Sequence, residues 1–287
     1  MKVEHIRHMR RKLRSRAART GARYVILILA SLFFLFPIFW IIITAFKQPG
    51  DYFQFPPVWF PKHPTLIHFR SVQTTGVGGY TALKNSFIIN IASTITSVGL
   101  GAMAAYAMAR FRTGGKNFSF WILSQRMLPP IAIIFPIFLV MRTFHWVDTY
   151  QCMILVYTAV NLPFVIWMLR SYFLEVPTEV EESALIDGCS RIGALFRIII
   201  PMSIPGLIAT AVLAYIFTWT EFLFALILSR TDVFTVPVAL SAYFGSEAQF
   251  WGEVGVLSFI SIIPVFTMGL LVQKHLARGL TLGAVKG

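Results

Sequence analysis

Charged side chains are scarce in this chain of 287 residues: only 13% are Asp, Glu, Lys or Arg, whereas 56% are hydrophobic. A soluble domain usually carries about 25% charged residues. Several apolar runs are long enough to cross a bilayer, which requires roughly 20 residues of helix. Together with a mean hydropathy of +0.70, this composition excludes a soluble domain and predicts an integral membrane protein.

Sequence patterns for covalent chemistry are also lacking. The six histidines are scattered and none belongs to an HExxH pair. There is no GxSxG motif. Residues 114–117, Gly-Gly-Lys-Asn, lack both the leading glycine and the Ser or Thr that a phosphate-binding loop needs after its lysine. We therefore predict that the chain is not an enzyme and holds no catalytic residue, metal or cofactor of its own.

The apolar runs predict an all-α, polytopic membrane protein with six transmembrane helices. These are residues 24–46, 85–109, 118–141, 151–169, 202–228 and 251–272. Residues 47–84 form an aromatic and Pro-rich external loop, and residues 85–273 form the core. Pro37 is expected to kink the first span, and Pro129-Pro130 must disturb the third span in its middle.

Basic residues predict the orientation of these spans. Eighteen Lys and Arg fall in the segments on one side, against six in the loops on the other. This positive-inside bias places both termini and residues 176–201 in the cytoplasm. Cys152 and Cys189 then lie on opposite sides of the membrane, so no disulfide is expected between them.

The N-terminal segment, residues 1–23, carries nine Lys and Arg against a single acid, Glu4. It is too long and too charged to be a simple signal peptide. We interpret it as a cytoplasmic tail that sets the orientation of the first span. An RNA-binding or lipid-binding arm is the alternative, and we expect no nucleic-acid partner.

The most charged interruption is residues 176–201, VPTEVEESALIDGCSRIGALFRIIIP. Thr178 stands three residues before Glu181, the spacing of a capping box at a helix start. Gly188 is suited to end that helix, and Ser190 to cap a second helix that Pro201 ends. The pattern predicts a helix–turn–helix with an acidic edge; a solvated loop with ordinary caps is the alternative.

Three motifs in this order carry a family resemblance. Glu182-Ser183-Ala184 followed by Asp187-Gly188 resembles the EAA loop of permease subunits in bacterial ATP-binding-cassette importers. Ser183 replaces the usual Ala, and Ile200 replaces a Leu near the loop's end. Residues 217–226 resemble the span-five signature of carbohydrate permeases. Residues 279–287 resemble the C-terminal tail of the maltose-type second permease.

The resemblance implies a subunit of a sugar or polyol importer, with a disaccharide favoured, in the bacterial inner membrane. Its partners would be a second related permease, two ATPase subunits that bind ATP and Mg, and an extracytoplasmic solute-binding protein. The ATPase-coupling residues implied are Glu182, Ser183, Ala184, Asp187 and Gly188. Glu182 would face a basic site on the ATPase, while Ala184 and Gly188 would allow close seating. The C-terminal tail, residues 274–287, would insert between the ATPases.

Polar or aromatic residues within the spans are candidates for a substrate pathway: Arg126, Asn161, Trp219 and Glu221. Trp219 is suited to stack on a sugar, and Glu221 to bind hydroxyl groups. A purely structural role is the alternative for each. Two other function classes remain as alternatives. One is an ion-gradient-driven secondary transporter that uses Arg126 and Glu221. The other is a membrane-embedded transferase, which needs an acidic or metal-binding pair that we do not find.

Overall fold

The computed structural model describes the backbone of residues 2–76, 78–111, 113–115, 117–244 and 250–282, and side chains between residues 19 and 273. In these ranges the regular structure is helical. The α-helices are α1 Lys2–Thr44, α2 Ile67–Thr74, α3 Gly79–Arg110, α4 Phe118–Ser124, α5 Pro130–Thr143, α6 Tyr150–Glu175, α7 Thr178–Ile186, α8 Arg191–Ala194, α9 Ile200–Met202, α10 Ile204–Trp219, α11 Leu223–Leu228, α12 Val236–Phe244 and α13 Trp251–Leu282. Short 3₁₀ turns lie at Pro49–Asp51 and Gln125–Met127, and one π-helical turn at Leu195–Ile199.

Four helical stretches are long and apolar enough to cross a membrane: Arg19–Thr44, Gly79–Arg110, Tyr150–Glu175 and Trp251–Gln273. Two bent helix pairs qualify when each is taken as one span, which raises the number to six. The predicted all-α polytopic fold is confirmed. The predicted C-terminal tail lies largely outside the described residues: only the α13 backbone, as far as Leu282, can be described there.

Two adjacent prolines mark the bend in the third predicted span. The 3₁₀ turn Gln125–Met127 ends before Leu128 and Pro129, which are extended, and α5 begins at Pro130 at an angle of 90° to the preceding helix. The predicted break in the third span is confirmed. Pro37, in contrast, lies inside α1, which continues through it to Thr44.

The fifth predicted span, residues 202–228, is not one continuous helix but is interrupted at two places. The helix that Pro201 was expected to end continues to Met202, and the chain then turns by 83° before α10 begins at Ile204. α10 itself stops at Trp219, and a separate helix, α11, begins at Leu223. This second break was not predicted, because residues 220–222, which lie across it, include neither proline nor glycine.

The centre of the fold is the pairing of α3 with α6, the most extensive helix contact in the described chain. Small residues of α3, including Ala102 and Ala105, pack against Val165, Leu169 and Phe173 of α6. Small side chains allow membrane helices to approach closely, which increases their van der Waals contact. This pair forms the frame that holds both the helical segment of residues 176–201, called the module below, and the cavity described with it.

A buried polar cluster joins α2 to the start of α13. Glu253 accepts a hydrogen bond from Ser71, and its Oε1 lies 3.3 Å from Nδ1 of His68. Nε2 of His68 lies 3.0 Å from the carbonyl oxygen of Lys47. Burial lowers the pKa of His68, but the contacts with Glu253 outweigh burial, so the net shift is upward. The cluster fixes the external loop against the membrane helices.

Asp148 joins two further connecting segments of the chain. Its carboxylate accepts hydrogen bonds from the backbone N–H groups of residues 230–233, at 2.9 to 3.2 Å, and from the Thr231 hydroxyl. Burial alone would raise the pKa of Asp148, but these donors favour the charged form and lower it to about 2. The carboxylate therefore ties the turn before α6 to the loop after α11.

Asp148→Asn is expected to lower the thermal unfolding temperature in detergent at pH 7, because the amide loses charge-assisted hydrogen bonds. The folded-state pKa lies below the ordinary value of about 3.9, so this stabilisation is full above about pH 4 and is lost as pH falls through about 2. The gap between wild type and variant should therefore narrow on acidification. Asp51→Asn, whose carboxylate accepts a single backbone bond at 3.2 Å, is the control. A gap independent of pH would contradict this account.

Candidate functional site

The module, residues 176–201, begins differently from the sequence prediction. Pro177 is the N-cap of α7, without a side-chain cap, and Thr178 is already the first helical residue. The predicted capping box is therefore wrong. Glu181 does not return to the helix start; its side chain turns inward and is only 4% exposed.

The turn after α7 agrees with prediction. Gly188 has φ +86°, a left-handed conformation that suits glycine. Its N–H donates to the carbonyl of Leu185 at 3.1 Å, and the N–H of Cys189 donates to Ala184 at 2.9 Å. Ser190 then caps α8 by accepting from the N–H of Gly193 at 3.1 Å. The helix stop at Gly188 and the cap at Ser190 are confirmed.

Most of the predicted coupling residues share one solvent-facing surface. Glu182, Ser183, Asp187 and Gly188 are exposed, and Ala184 is half-buried. Two large apolar side chains beside them were missed: Ile186 is 85% exposed and Ile192 is 72% exposed. We call Glu182, Ser183, Asp187, Gly188, Ile186 and Ile192 the docking surface, after the role predicted from the sequence for most of them. Ile186 and Ile192 thus add exposed apolar area to the acidic residues of this segment.

Glu181 forms a buried ion pair that the sequence analysis did not predict. Its Oε2 accepts from Nε of Arg110 at 2.6 Å, and its Oε1 accepts from the hydroxyl of Tyr106. Nη2 of Arg110 also donates to the carbonyl of Val176 at 2.9 Å. The available signal was a basic residue, Arg110, at the end of the second span, which was predicted to lie on the same side of the membrane as the module.

A cavity of about 680 Å³ opens between the two broken spans and α6. Three of the four predicted pathway residues line it: Arg126 from the break before α5, Asn161 from α6, and Glu221 from the break before α11. The structure therefore brings together residues that are far apart in sequence. Tyr157, Phe217 and Thr218 contribute polar and aromatic surface between them.

Each of these side chains has a defined setting. Glu221 accepts from the Tyr157 hydroxyl at 2.8 Å and from the N–H of Phe224 at 3.0 Å, so it caps α11. Asn161 donates to the Thr218 hydroxyl at 2.6 Å. The Arg126 guanidinium lies over the Phe217 ring, 4.2 Å from its centroid, and its Nη1 is buried without a hydrogen-bond partner. A cavity with an unused cationic donor and a carboxylate is suited to a hydroxylated solute.

Trp219 is placed elsewhere. It is 6% exposed and is not among the residues that line the cavity. Its ring stacks on Tyr215, with centroids 5.7 Å apart, and meets Phe87 edge-on at 5.3 Å. The structure therefore gives Trp219 a packing role, and Phe217 is the aromatic residue of α10 that faces the cavity.

Comparison with known families decides what this arrangement is. Residues 97–282, which include α6, the module and the cavity, match the family of binding-protein-dependent transport system inner membrane components. The chain belongs to this family. It is therefore a transport subunit, a multi-pass permease of the inner membrane, and the family implies ATPase and substrate-binding partners.

Several permeases resemble the chain over most of its length. It is 38% identical over 264 residues to the trehalose/maltose transport system permease MalG of Thermococcus litoralis, which covers 91% of this chain and 94% of that one. It is 34% identical to the trehalose transport system permease SugB of Mycobacterium tuberculosis, and the alignment covers 88% of this chain and 93% of SugB. It is 32% identical to the diacetylchitobiose uptake system permease DasC of Streptomyces coelicolor, covering 88% and 92%.

Solved permease structures share the fold. A chain of a bacterial ABC transporter involved in import of the acidic polysaccharide alginate aligns with a TM-score of 0.70 at 24% identity, covering 88% of this permease and 94% of that chain. An inward-facing methionine ABC transporter, MetNI, aligns with a TM-score of 0.53 at 17% identity, covering 72% and 95%. The order and packing of these helices are thus those of an ABC importer permease.

Proposed function

We propose that this permease forms half of the translocation pathway of an ATP-driven importer for a sugar or polyol, with a disaccharide as the favoured solute. The observation that carries the proposal is the exposed docking surface at the end of a family-matched membrane core. The solute class rests on relatives named for trehalose, maltose and diacetylchitobiose. ATP and Mg belong to the partner ATPases, and this chain carries out no covalent chemistry.

The proposed arrangement has six spans with both termini in the cytoplasm. A second, related permease completes the pathway and covers part of the apolar surface of α1, where Phe33 is 74% exposed and Phe34 is 72% exposed. Lipid covers what this second permease does not. A solute-binding protein docks on the external side, where Asp148 orders the loop of residues 230–233. Two ATPase subunits dock in the cytoplasm.

The docking surface gives the ATPase contact its proposed chemistry. Glu182 and Asp187 offer carboxylates to a basic site, and Ile186 offers a large apolar side chain that becomes buried on binding. Such mixed patches, with an apolar centre and a charged rim, are the ordinary composition of protein interfaces. Closure of the ATPases on nucleotide would then move the module and rock the spans between inward- and outward-facing states.

The first test is purification of the tagged permease from native membranes in mild detergent, with mass spectrometry of the recovered proteins. We expect a second multi-span permease and an ATPase with a Walker motif. Uptake into vesicles should require ATP and should survive an ionophore. Recovery of the chain alone, with uptake that an ionophore abolishes, would favour the secondary transporter that uses Arg126 and Glu221.

The cavity should contact the solute. Arg126→Met is expected to raise the KM for uptake roughly tenfold, because removing one charged donor to a bound hydroxyl costs about 1.5 kcal/mol or more. Arg126 has unused hydrogen-bonding capacity in the cavity, so methionine of similar length should leave the fold intact. Arg142→Met, an exposed arginine in the last turn of α5, is the matched control. An unchanged KM in Arg126→Met would remove the cavity from the pathway.

A further inference from the structure

The cytoplasmic end of α3 holds both helices of the module. Arg110 pairs with Glu181 of α7, and the two side chains are 7% and 6% exposed. The neighbouring residue, Phe111, receives the guanidinium of Arg191 from α8, 4.6 Å above its ring centroid. Phe111 also packs edge-on against Tyr106, the second partner of Glu181. α3 thus contacts the module through two independent cationic residues.

Glu181 has a special place within α7. It is the one residue of this nine-residue helix that is buried, although it follows and precedes exposed residues. The burial of a carboxylate is unfavourable unless it is paired and hydrogen-bonded. Here the pairing is complete, and Arg110 extends it to the carbonyl of Val176 at the joint between α6 and α7. The position of α7 against the membrane core therefore depends on this ion pair.

Near its opposite end, α3 is bonded to residues 232–236, which lie between α11 and the start of α12. Nδ2 of Asn85 donates to the carbonyls of Asp232 and Phe234 at 2.9 and 3.2 Å. The hydroxyl of Ser86 accepts from the N–H of Val236 at 2.8 Å. α3 is one unbroken helix of 32 residues, and its stretch from Asn85 to Arg110 is about 38 Å long at 1.5 Å per residue. Both ends are therefore fixed to surfaces on opposite sides of the membrane.

We propose that α3 is a rigid link between the external loop at residues 232–236 and the docking surface, and that Glu181 is the positioning residue that makes α7 move together with α3. The proposal deepens the proposed function and rests on it. Glu182 and its exposed neighbours bind the ATPase, whereas Glu181 transmits the displacement. Coupling between two distant sites requires a structural element whose position both sites influence. α3 is such an element, because one end is bonded to residues 232–236 and the other end to the module that carries the docking surface.

The test uses the complex purified with its ATPase subunits, and nucleotide as the only added ligand. Spin labels at Glu179→Cys on α7 and Ile95→Cys on α3, in a background with Cys152→Ala and Cys189→Ser, report the distance between the two helices. Glu179 and Ile95 are both exposed. In the parent complex we expect one narrow distance distribution that shifts by less than about 2 Å between nucleotide-free and ATP–vanadate states, as for a rigid body.

Adding Glu181→Gln should broaden this distribution about twofold and allow nucleotide to shift it, because the glutamine keeps the shape but leaves Arg110 buried without its counter-ion. ATPase subunits should still be recovered, since the docking surface is unchanged. Arg110→Met should give the same result. Glu182→Gln, placed on the exposed side of α7, is the control for distance because it should weaken ATPase recovery without broadening the distribution.

Three results would overturn the proposal: a nucleotide-induced shift of the parent distance, an unbroadened Glu181→Gln distribution, or loss of the ATPases from Glu181→Gln with the distance unchanged. The last would make Glu181 a docking residue. Failure of the proposed function looks different, because the parent chain would then be recovered without any ATPase.

Discussion

Gly188→Trp is expected to abolish ATP-driven uptake and to weaken binding of the ATPase subunits roughly 100-fold, a cost of about 2.7 kcal/mol that matches an interface hot spot. A Cβ placed at Gly188 meets no atom of the described residues within 4 Å, apart from its chain neighbours, and so projects into open space. The indole would therefore occupy the space that the partner needs. Charge reversal in Glu182→Lys should act in the same direction through repulsion by the basic site.

The control must separate docking from backbone strain. Gly188 has φ +86°, so any L-residue there is strained by about 1 kcal/mol. Gly115→Trp provides the match, because Gly115 has φ +76° and open space around it in the loop between α3 and α4. That variant should keep its ATPases and its uptake. Co-purification and uptake measured side by side decide the matter, and wild-type values for Gly188→Trp would refute the docking role.

How far sequence reasoning succeeded depended on the range of each interaction. The stop at Gly188 and the cap at Ser190 could be predicted because each depends on neighbours within four residues. Glu181 could not be placed in this way. Its spacing from Thr178 fits a capping box, but its partner, Arg110, lies 71 residues away in the sequence. Local spacing does not show whether a carboxylate turns back along its helix or inward to a distant guanidinium.

The membrane core shows the same limit. Long apolar runs and Pro129-Pro130 were sufficient to predict an all-α fold and a broken third span. The break before α11 has no such signal, because Glu221 creates it by accepting the N–H groups of residues 224 and 225. Phe217 and Trp219, two residues apart on α10, face about 200° apart around the helix. Only the packing of α10 decides which ring reaches the cavity.

Gly101→Leu is expected to prevent stable folding in the membrane. A Cβ at Gly101 would lie 2.5 Å from Cγ1 of Val165 and 3.2 Å from its Cβ, at the contact between α3 and α6. Val165 is fully buried and β-branched, so it has little freedom to move aside. Overpacking of this kind costs about 1–3 kcal/mol or more, which lowers the folded fraction of a marginal protein substantially. The measurement is the yield of monodisperse protein in detergent and its unfolding temperature.

Gly99→Leu is the matched control on the same helix, since a Cβ at Gly99 meets no atom of the described residues within 4 Å beyond the adjacent backbone of α3 itself. Both variants remove a glycine from the interior of α3 and add the same apolar side chain, so their helix propensity and hydropathy change equally. A difference between them reports only the contact with Val165. α3 carries the Arg110 pair at one end and Asn85 near the other. Loss of the contact with α6 should therefore also break the link between the docking surface and residues 232–236. Equal yields for the two variants would show that α3 and α6 can move apart without loss of the fold.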